Sequence, residues 1–273
     1  MKIKFTKMQA YGNDYVYIFT EPYEVENYSL LAQKISDRHF GVGSDGMVLI
    51  SNSDACDFRM RIFNPDGTEA EMCGNALRST AMFVYYHELT KKDIITIETL
   101  GGDKIVYLSI SNNQVVNIHA MIGRPKPPEK EIPENTACFV IDRDFELFSL
   151  SWGNPHTVVF VDDVEEFDVE KYGKAIEYLD CFPERTNVTF AQLIDKGNIK
   201  IREWERGTGE TLGCGTGCCS AVVIAHRLGK CDRSVCVEQP GGTLDVLWDD
   251  DGNVHMIGPS RVVYEGEYSY DIE

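Results

Sequence analysis

An internal repeat limits what this chain can fold into more than any other feature. Residues 61–74 (RIFNPDGTEAEMCG) lie over residues 202–215 (REWERGTGETLGCG) with an arginine, an aromatic residue, a glutamate and a Cys-Gly pair in register. The shift is 141 positions, from Cys73 to Cys214, and it also carries Gly12-Asn13 onto Gly153-Asn154. A shift of 140 carries Glu98, Gly101 and Gly102 onto Glu238, Gly241 and Gly242. Landmarks spread along the chain at one spacing imply two lobes of like construction.

The first lobe is expected over residues 1–122 and the second over 123–263, with the tail 264–273 completing the first. The stretch Gly123-Arg124-Pro125-Lys126-Pro127-Pro128 reads as the linker. Short alternating or β-branched runs at 58–63, 94–97, 105–110, 158–161 and 244–248 predict strands. Directly after each Cys-Gly pair the signal changes to helix, over 75–89 and 217–228. The second of these is apolar on nearly every side, so it must be buried all round, with a sheet wrapped about it.

Charge excludes one class of function. Lysine and arginine total 26 against 44 aspartates and glutamates, a formal net charge of −18, whereas sequence-independent nucleic-acid binders depend on clustered cations. No nucleic-acid partner is expected. The longest apolar run, residues 221–225, is far too short for a bilayer, and the basic start Met1-Lys2-Ile3-Lys4 lacks the apolar segment of a secretory signal. A cytoplasmic protein without membrane contact is expected. Nine cysteines, an odd number in such a chain, argue against a disulfide framework.

The matched cysteines carry the chemical argument. Cys73 and Cys214 each precede a predicted buried helix, where unpaired backbone N–H groups and the helix dipole favour negative charge. A thiol there is expected to fall below its usual pKa of about 8.5 and become a usable base, and the remaining N–H groups can hold a carboxylate. If pseudo-symmetric lobes present the two sulfurs to opposite faces of one carbon, one thiolate removes an α-proton and the opposite thiol returns one, inverting the centre. Cys56, Cys138, Cys181, Cys218, Cys219, Cys231 and Cys236 read instead as small buried hydrophobes. No pair has the C-x₂-C spacing of a zinc site, and no metal is expected. Gly41-Val42-Gly43-Ser44-Asp45-Gly46 satisfies G-x-G-x-x-G, but it leads into the strand-like Met47-Val48-Leu49-Ile50 rather than a helix, so it reads as a tight loop and not a dinucleotide site.

At Cys73-Gly74-Asn75, Gly153-Asn154-Pro155-His156, Glu205-Arg206-Gly207 and Cys214-Gly215-Thr216-Gly217 the sequence resembles the diaminopimelate epimerase family. The likeness runs through Gly12-Asn13-Asp14, Arg61-Ile62-Phe63-Asn64, Arg185-Thr186-Asn187-Val188 and Pro240-Gly241-Gly242. It implies an α+β fold of two pseudo-symmetric lobes, each a mostly antiparallel, barrel-like sheet around a central helix. It implies an epimerase that interconverts LL- and meso-diaminopimelate, needs no pyridoxal cofactor and works as a homodimer on a small amino-acid substrate. Cys73 and Cys214 match the catalytic thiols. Gly74, Asn75, Gly215 and Thr216 match the donors at the reacting end, and Asn13, Asn64, Asn154, Asn187, Glu205 and Arg206 match further substrate-binding positions. His156 either tunes a thiol or is structural. Ala76 and Gly46 depart from the family pattern, which keeps open a racemase of another free amino acid, histidine for example. A non-catalytic thiol or metal-binding protein is the alternative from another class.

Overall fold

The computed structural model describes residues 1–128 and 132–270. The chain divides into two units, Met1–Met121 with Gly258–Glu273, and Ile122–Ile257. Residues 258–263, which the repeat alone assigns to the second lobe, fall in the first because the strand they lead into pairs with the chain's first strand. Residues 271–273 of the expected tail lie outside the described residues.

The first unit contains β1 (Lys2–Ala10), β2 (Asn13–Phe19), α1 (Tyr28–Ser36), β3 (Met47–Ser51), β4 (Phe58–Phe63), β5 (Glu69–Ala70), α2 (Gly74–Tyr86), β6 (Ile94–Glu98), β7 (Lys104–Ser111) and β8 (Gln114–Gly123). The second contains β9 (Asn135–Val140), β10 (Arg143–Ser151), β11 (Pro155–Phe160), α3 (Val169–Glu177), β12 (Asn187–Asp195), β13 (Asn198–Glu205), β14 (Gly209–Thr211), α4 (Gly215–Arg227), β15 (Ser234–Gln239), β16 (Gly242–Trp248) and β17 (Val254–Gly258). The last strand, β18 (Arg261–Ser269), returns to the first unit and lies antiparallel to β1.

Strand pairing repeats between the units. In the first, β1 and β2 form a hairpin, β2 runs parallel to β3, β3 pairs antiparallel with β4, β4 parallel with β6, and β6 antiparallel with β7. In the second, β10, β11, β12, β13, β15 and β16 follow the same succession of senses. Each parallel pair is joined by a crossover that contains a helix, as parallel strands require. The fold is α+β and mostly antiparallel.

Both faces of the central strands are covered, which explains why they are apolar throughout rather than alternating. In the first unit Tyr17, Val48, Ile50 and Ile62 face α2 through its Ala76, Leu77 and Ala81, while Val16, Ile18, Met47 and Leu49 face α1 through Leu31, Ala32 and Ile35. In the second, α4 packs on β11, β12, β13 and β16, and α3 supplies Val169, Tyr172 and Ile176 to a core with Val159, Val188 and Phe190. The second helix of each unit, α1 or α3, is an addition to the one principal helix expected from the sequence. The proline-rich linker is tied to the end of β10 by two N–H···O bonds between Lys126 and Ser151, at 2.9 and 3.0 Å.

Candidate active site

Cys73 and Cys214 occupy the same place in their respective units. Each is the residue immediately before a buried helix, in extended conformation, with φ −136° and −120°. A short hairpin delivers each cysteine: β4 and β5 in the first unit, β13 and β14 in the second.

Around Cys73 the structure gathers residues from β2 and the first turn of α2. The Cys73 thiol donates to Asn13 Oδ1 at 3.6 Å, and Asn75 Nδ2 donates to the same oxygen at 3.3 Å. Asn13 in turn donates to Asp45 Oδ2 at 3.0 Å. Arg38 reaches Asp14 at 3.0 Å and Asp45 at 2.8 Å, and Lys7 pairs with Asp14 from the other side. Burial works to raise the Asp14 pKa, but Lys7 and Arg38 more than offset it and hold the carboxyl below the usual range. Tyr15 is buried beside the thiol, and burial followed by Cys73 and Tyr17 pushes its phenol well up. Arg78, fully buried one turn into α2, donates to Asn75 Oδ1 at 2.6 Å and to the Gly74 carbonyl at 3.3 Å.

Around Cys214 the surroundings are acidic. Its N–H donates to Gln239 Oε1 at 3.1 Å, and its sulfur lies 3.4 Å from Thr216 Oγ1. Glu205 is held by the Thr211 hydroxyl at 2.6 Å. Burial first, then the Glu205 charge, push the Cys214 thiol well above its ordinary pKa, while Thr216 and the Gly217 N–H pull the other way. The helix start was expected to lower this pKa. Burial to 8% exposure and the nearby Glu205 carboxylate outweigh the helix dipole, so Cys214 is a thiol at neutral pH.

Other expected residues sit further along the same elements. Asn187 Nδ2 donates to the Pro155 carbonyl at 3.0 Å and its Oδ1 accepts the Arg206 N–H at 2.9 Å, which joins two of the predicted positions. The exposed Arg206 guanidinium donates to the Glu184 carbonyl at 3.1 Å. Asn154 closes the β10–β11 turn through its carbonyl. Asn64 is occupied with its own turn, donating to Thr68 Oγ1 at 3.0 Å. His156 is fully buried, and burial together with the Arg206 charge lowers its pKa to about 3, so the ring is neutral. Gly46 has a structural reason to be glycine: a Cβ there would stand 2.4 Å from the Phe63 carbonyl and 2.9 Å from the Tyr15 ring.

Sequence reasoning missed Glu203, Tyr15 and the acid–base network of Lys7, Asp14, Arg38 and Asp45. The signal for Glu203 was present in the alternation Ile199, Ile201, Glu203, which puts it on the buried face of β13. Among the described residues, which include all nine cysteines, no disulfide forms. No group of three or more His, Cys, Asp or Glu side chains among them is arranged to hold a metal ion, and no helix is long and apolar enough to cross a membrane.

The diaminopimelate epimerase family model matches residues 5–127 and 148–263. The chain belongs to the diaminopimelate epimerase family. A diaminopimelate epimerase of Methanococcus maripaludis is 44% identical, over 97% of this chain and 99% of its own length. One of Acetivibrio thermocellus is 43% identical over 97% and 98%. Solved structures share the fold at lower identity. A phenazine biosynthesis protein of the PhzF family from Bacillus anthracis matches with a TM-score of 0.71 at 18% identity, covering 98% of this chain and 99% of that one. A hydroxyproline epimerase from Agrobacterium vitis matches with 0.71 at 11%, covering 98% and 92%. Family membership makes this chain an isomerase of the epimerase and racemase type.

Proposed function

We propose that this chain interconverts LL- and meso-diaminopimelate by two-base proton transfer, with Cys73 and Cys214 as the acid–base pair, in the cytoplasmic biosynthesis of lysine. The observation that carries the reading is the matched placement of one cysteine before a buried helix in each repeat unit. Inversion at a carbon needs a base on one face and an acid on the other, and a repeat supplies two such groups from one ancestral design.

The surroundings differ in a way the reaction can use. Cys214 is kept as a thiol by burial and Glu205, so it is suited to deliver a proton while Cys73 removes one. The reverse reaction exchanges these roles. Because an α-hydrogen beside a carboxylate is far less acidic than a thiol, the developing enediolate charge needs fixed donors. The N–H groups of the α2 and α4 starts, at Gly74, Asn75, Gly215 and Thr216, provide them. Asn13, Asn154 and Glu205 complete the reacting end, while Asn64, Asn187 and Arg206 hold the distal carboxylate and ammonium. An arginine suits a carboxylate through its two-pronged geometry. As in the family it resembles, the protein works as a homodimer, which sedimentation checks.

Incubation with LL-diaminopimelate in deuterated water tests the proposal. Wild-type protein should place deuterium at the inverted carbon, and Cys73→Ala and Cys214→Ala should each lose inversion by roughly 10²–10⁴-fold. Unlabelled substrate after prolonged incubation, or inversion at the wild-type rate in either variant, rules it out.

A further inference from the structure

Strand alternation puts Glu203 in a position made for a hydrocarbon. Ile199, Ile201 and Glu203 are successive inward residues of β13 and are all buried, Glu203 to 1% exposure. Its mate in the repeat, 141 positions earlier, is Ile62, a core residue of the first unit. An ionised carboxylate in such a place requires a cation beside it, since an unpaired buried charge is far costlier than a buried neutral group.

The groups that face Glu203 come from three elements besides its own, and none supplies that charge. From β12 the Thr189 hydroxyl donates to Oε2 at 2.5 Å. From β11 the neutral His156 places Nδ1 3.8 Å from Oε1. From the start of α4 come the Cys214 thiol and Gly217, and on β13 itself Glu205 adds a like charge. Arg206 acts on His156. Glu203 Oε1 and both ring nitrogens of His156 are buried without a hydrogen-bond partner among the described residues. Gly217 explains how the carboxyl comes this close to α4: a methyl there would lie 2.4 Å from Oε2 and 2.8 Å from Oε1.

We propose that Glu203 is a positioning residue for Cys214, an un-ionised carboxylic acid whose Oε1–H donates to the thiolate that Cys214 becomes after giving up its proton. With Thr189 donating to Oε2, Oε1 is left to carry the hydroxyl. When Cys214 acts as acid, its S–H bond breaks, a C–H bond forms at the α-carbon and the electron pair stays on sulfur. Glu203 keeps its proton throughout and contributes only a hydrogen bond, the use other enzymes make of an acid held neutral by an apolar site. Burial, reinforced by Glu205, raises the Glu203 pKa well above the carboxylate range.

This inference rests on Cys214 being one of the two acid–base groups, and it is tested without measuring turnover. Alkylation of Cys214 by iodoacetamide is followed against pH, peptide by peptide, in intact wild-type, Glu203→Gln and Glu203→Leu protein. Loss of the donor in Glu203→Leu should raise the Cys214 midpoint by about one pH unit, a tenfold slower reaction at fixed pH. Glu203→Gln, whose amide still donates, should stay near wild type. A downward shift in both variants would mean a charged carboxylate that repels the thiolate. An unmoved midpoint in both would leave Glu203 as packing alone, and either result overturns the proposal. If Glu203→Leu does not fold, infrared difference between wild type and Glu203→Gln at neutral pH decides: a protonated-carboxyl C=O band should vanish in the variant, and its absence from wild type overturns the idea. Failure here leaves the deuterium result for Cys73 and Cys214 standing, and the converse holds.

Discussion

His156 and Glu203 are buried side by side and titrate in opposite senses, so together they give the protein an unusual acid response. The folded His156 pKa, about 3, lies below its ordinary 6.5. Between those values the unfolded chain binds a proton that the folded chain refuses. Its contribution to stability is therefore complete above pH 6.5 and is lost as pH falls toward 3, with a slope of up to about 1.4 kcal/mol per pH unit. Glu203 is raised above its ordinary 4.5, so the folded chain keeps a proton that the unfolded chain releases, and stability falls as pH rises past 4.5. The two slopes oppose each other between 4.5 and 6.5. Urea midpoints of His156→Leu should rise less with pH across that window than those of wild type. A variant whose pH dependence matches wild type would show that His156 does not titrate as described. At this scale the sequence was legible where residue type and spacing agree, as at Cys73 and Cys214. It was not legible where surroundings decide: nothing in Cys-Gly-Thr-Gly reveals that burial and Glu205 reverse the expected shift of the Cys214 pKa.

The repeat motif turns out to include structural arginines as well as the two cysteines. Arg61 forks onto Glu69 with bonds of 2.7 and 2.8 Å, clamping the β4–β5 hairpin, and 141 positions on Arg202 meets Glu210 at 2.7 Å across β13 and β14. These clamps hold the turns that deliver the cysteines. They are unequal, because Arg202 also donates to the carbonyls of Val164, Glu165 and Phe167 at 3.0, 3.2 and 2.8 Å, whereas Arg61 lies over the Tyr28 and Phe63 rings. Arg61→Ala should cost about 1 kcal/mol, as a partly exposed ion pair does. Arg202→Ala should cost roughly 2–3 kcal/mol, since it strands several acceptors. Denaturant titration of the two variants should rank them in that order, and equal losses would contradict the role given to the carbonyls. The strands around the motif were readable from alternation and β-branching, and both long helices from the change of pattern after Cys-Gly. The shorter α1 and α3 were not, because nine residues hold too few turns for a clear periodicity. Their sequence cue is indirect: Asn27 and Asp168 cap them, accepting from Leu30 and Lys171 at 3.0 Å, and strands as uniformly apolar as Met47-Val48-Leu49-Ile50 need a cover on both faces.

At the scale of the whole chain, a shift of 141 positions points to duplication but sets the start of the returning tail at 264, whereas the strand that completes the first unit begins at Arg261, because a linear repeat cannot show which end of the chain completes which unit. In the second unit the strand beside β10 is β9, which precedes it in sequence. In the first unit the equivalent place beside β1 is filled by β18, from the far end. Pairing runs from Lys2 opposite Ser269 to Gln9 opposite Arg261, with one register shift between Lys7 and Met8. The Met1 ammonium donates to the Tyr270 carbonyl at 2.6 Å, the Tyr270 N–H donates back to Met1 at 2.8 Å, and the Tyr270 ring is buried in the core that contains Ile3, Ile18 and Leu31. Removing residues 259–273 would leave β1 with an unpaired edge and open that core, while the second unit's core of Val159, Tyr172 and Phe190 loses nothing. Hydrogen exchange on the truncated protein should therefore show amides of β1 and β2 exchanging far faster than in the full chain, with those of β12 and α4 still protected. Protection of β1 that survives the truncation would mean that β18 only decorates an already stable sheet, and the first unit would then owe its integrity to residues 1–121 alone.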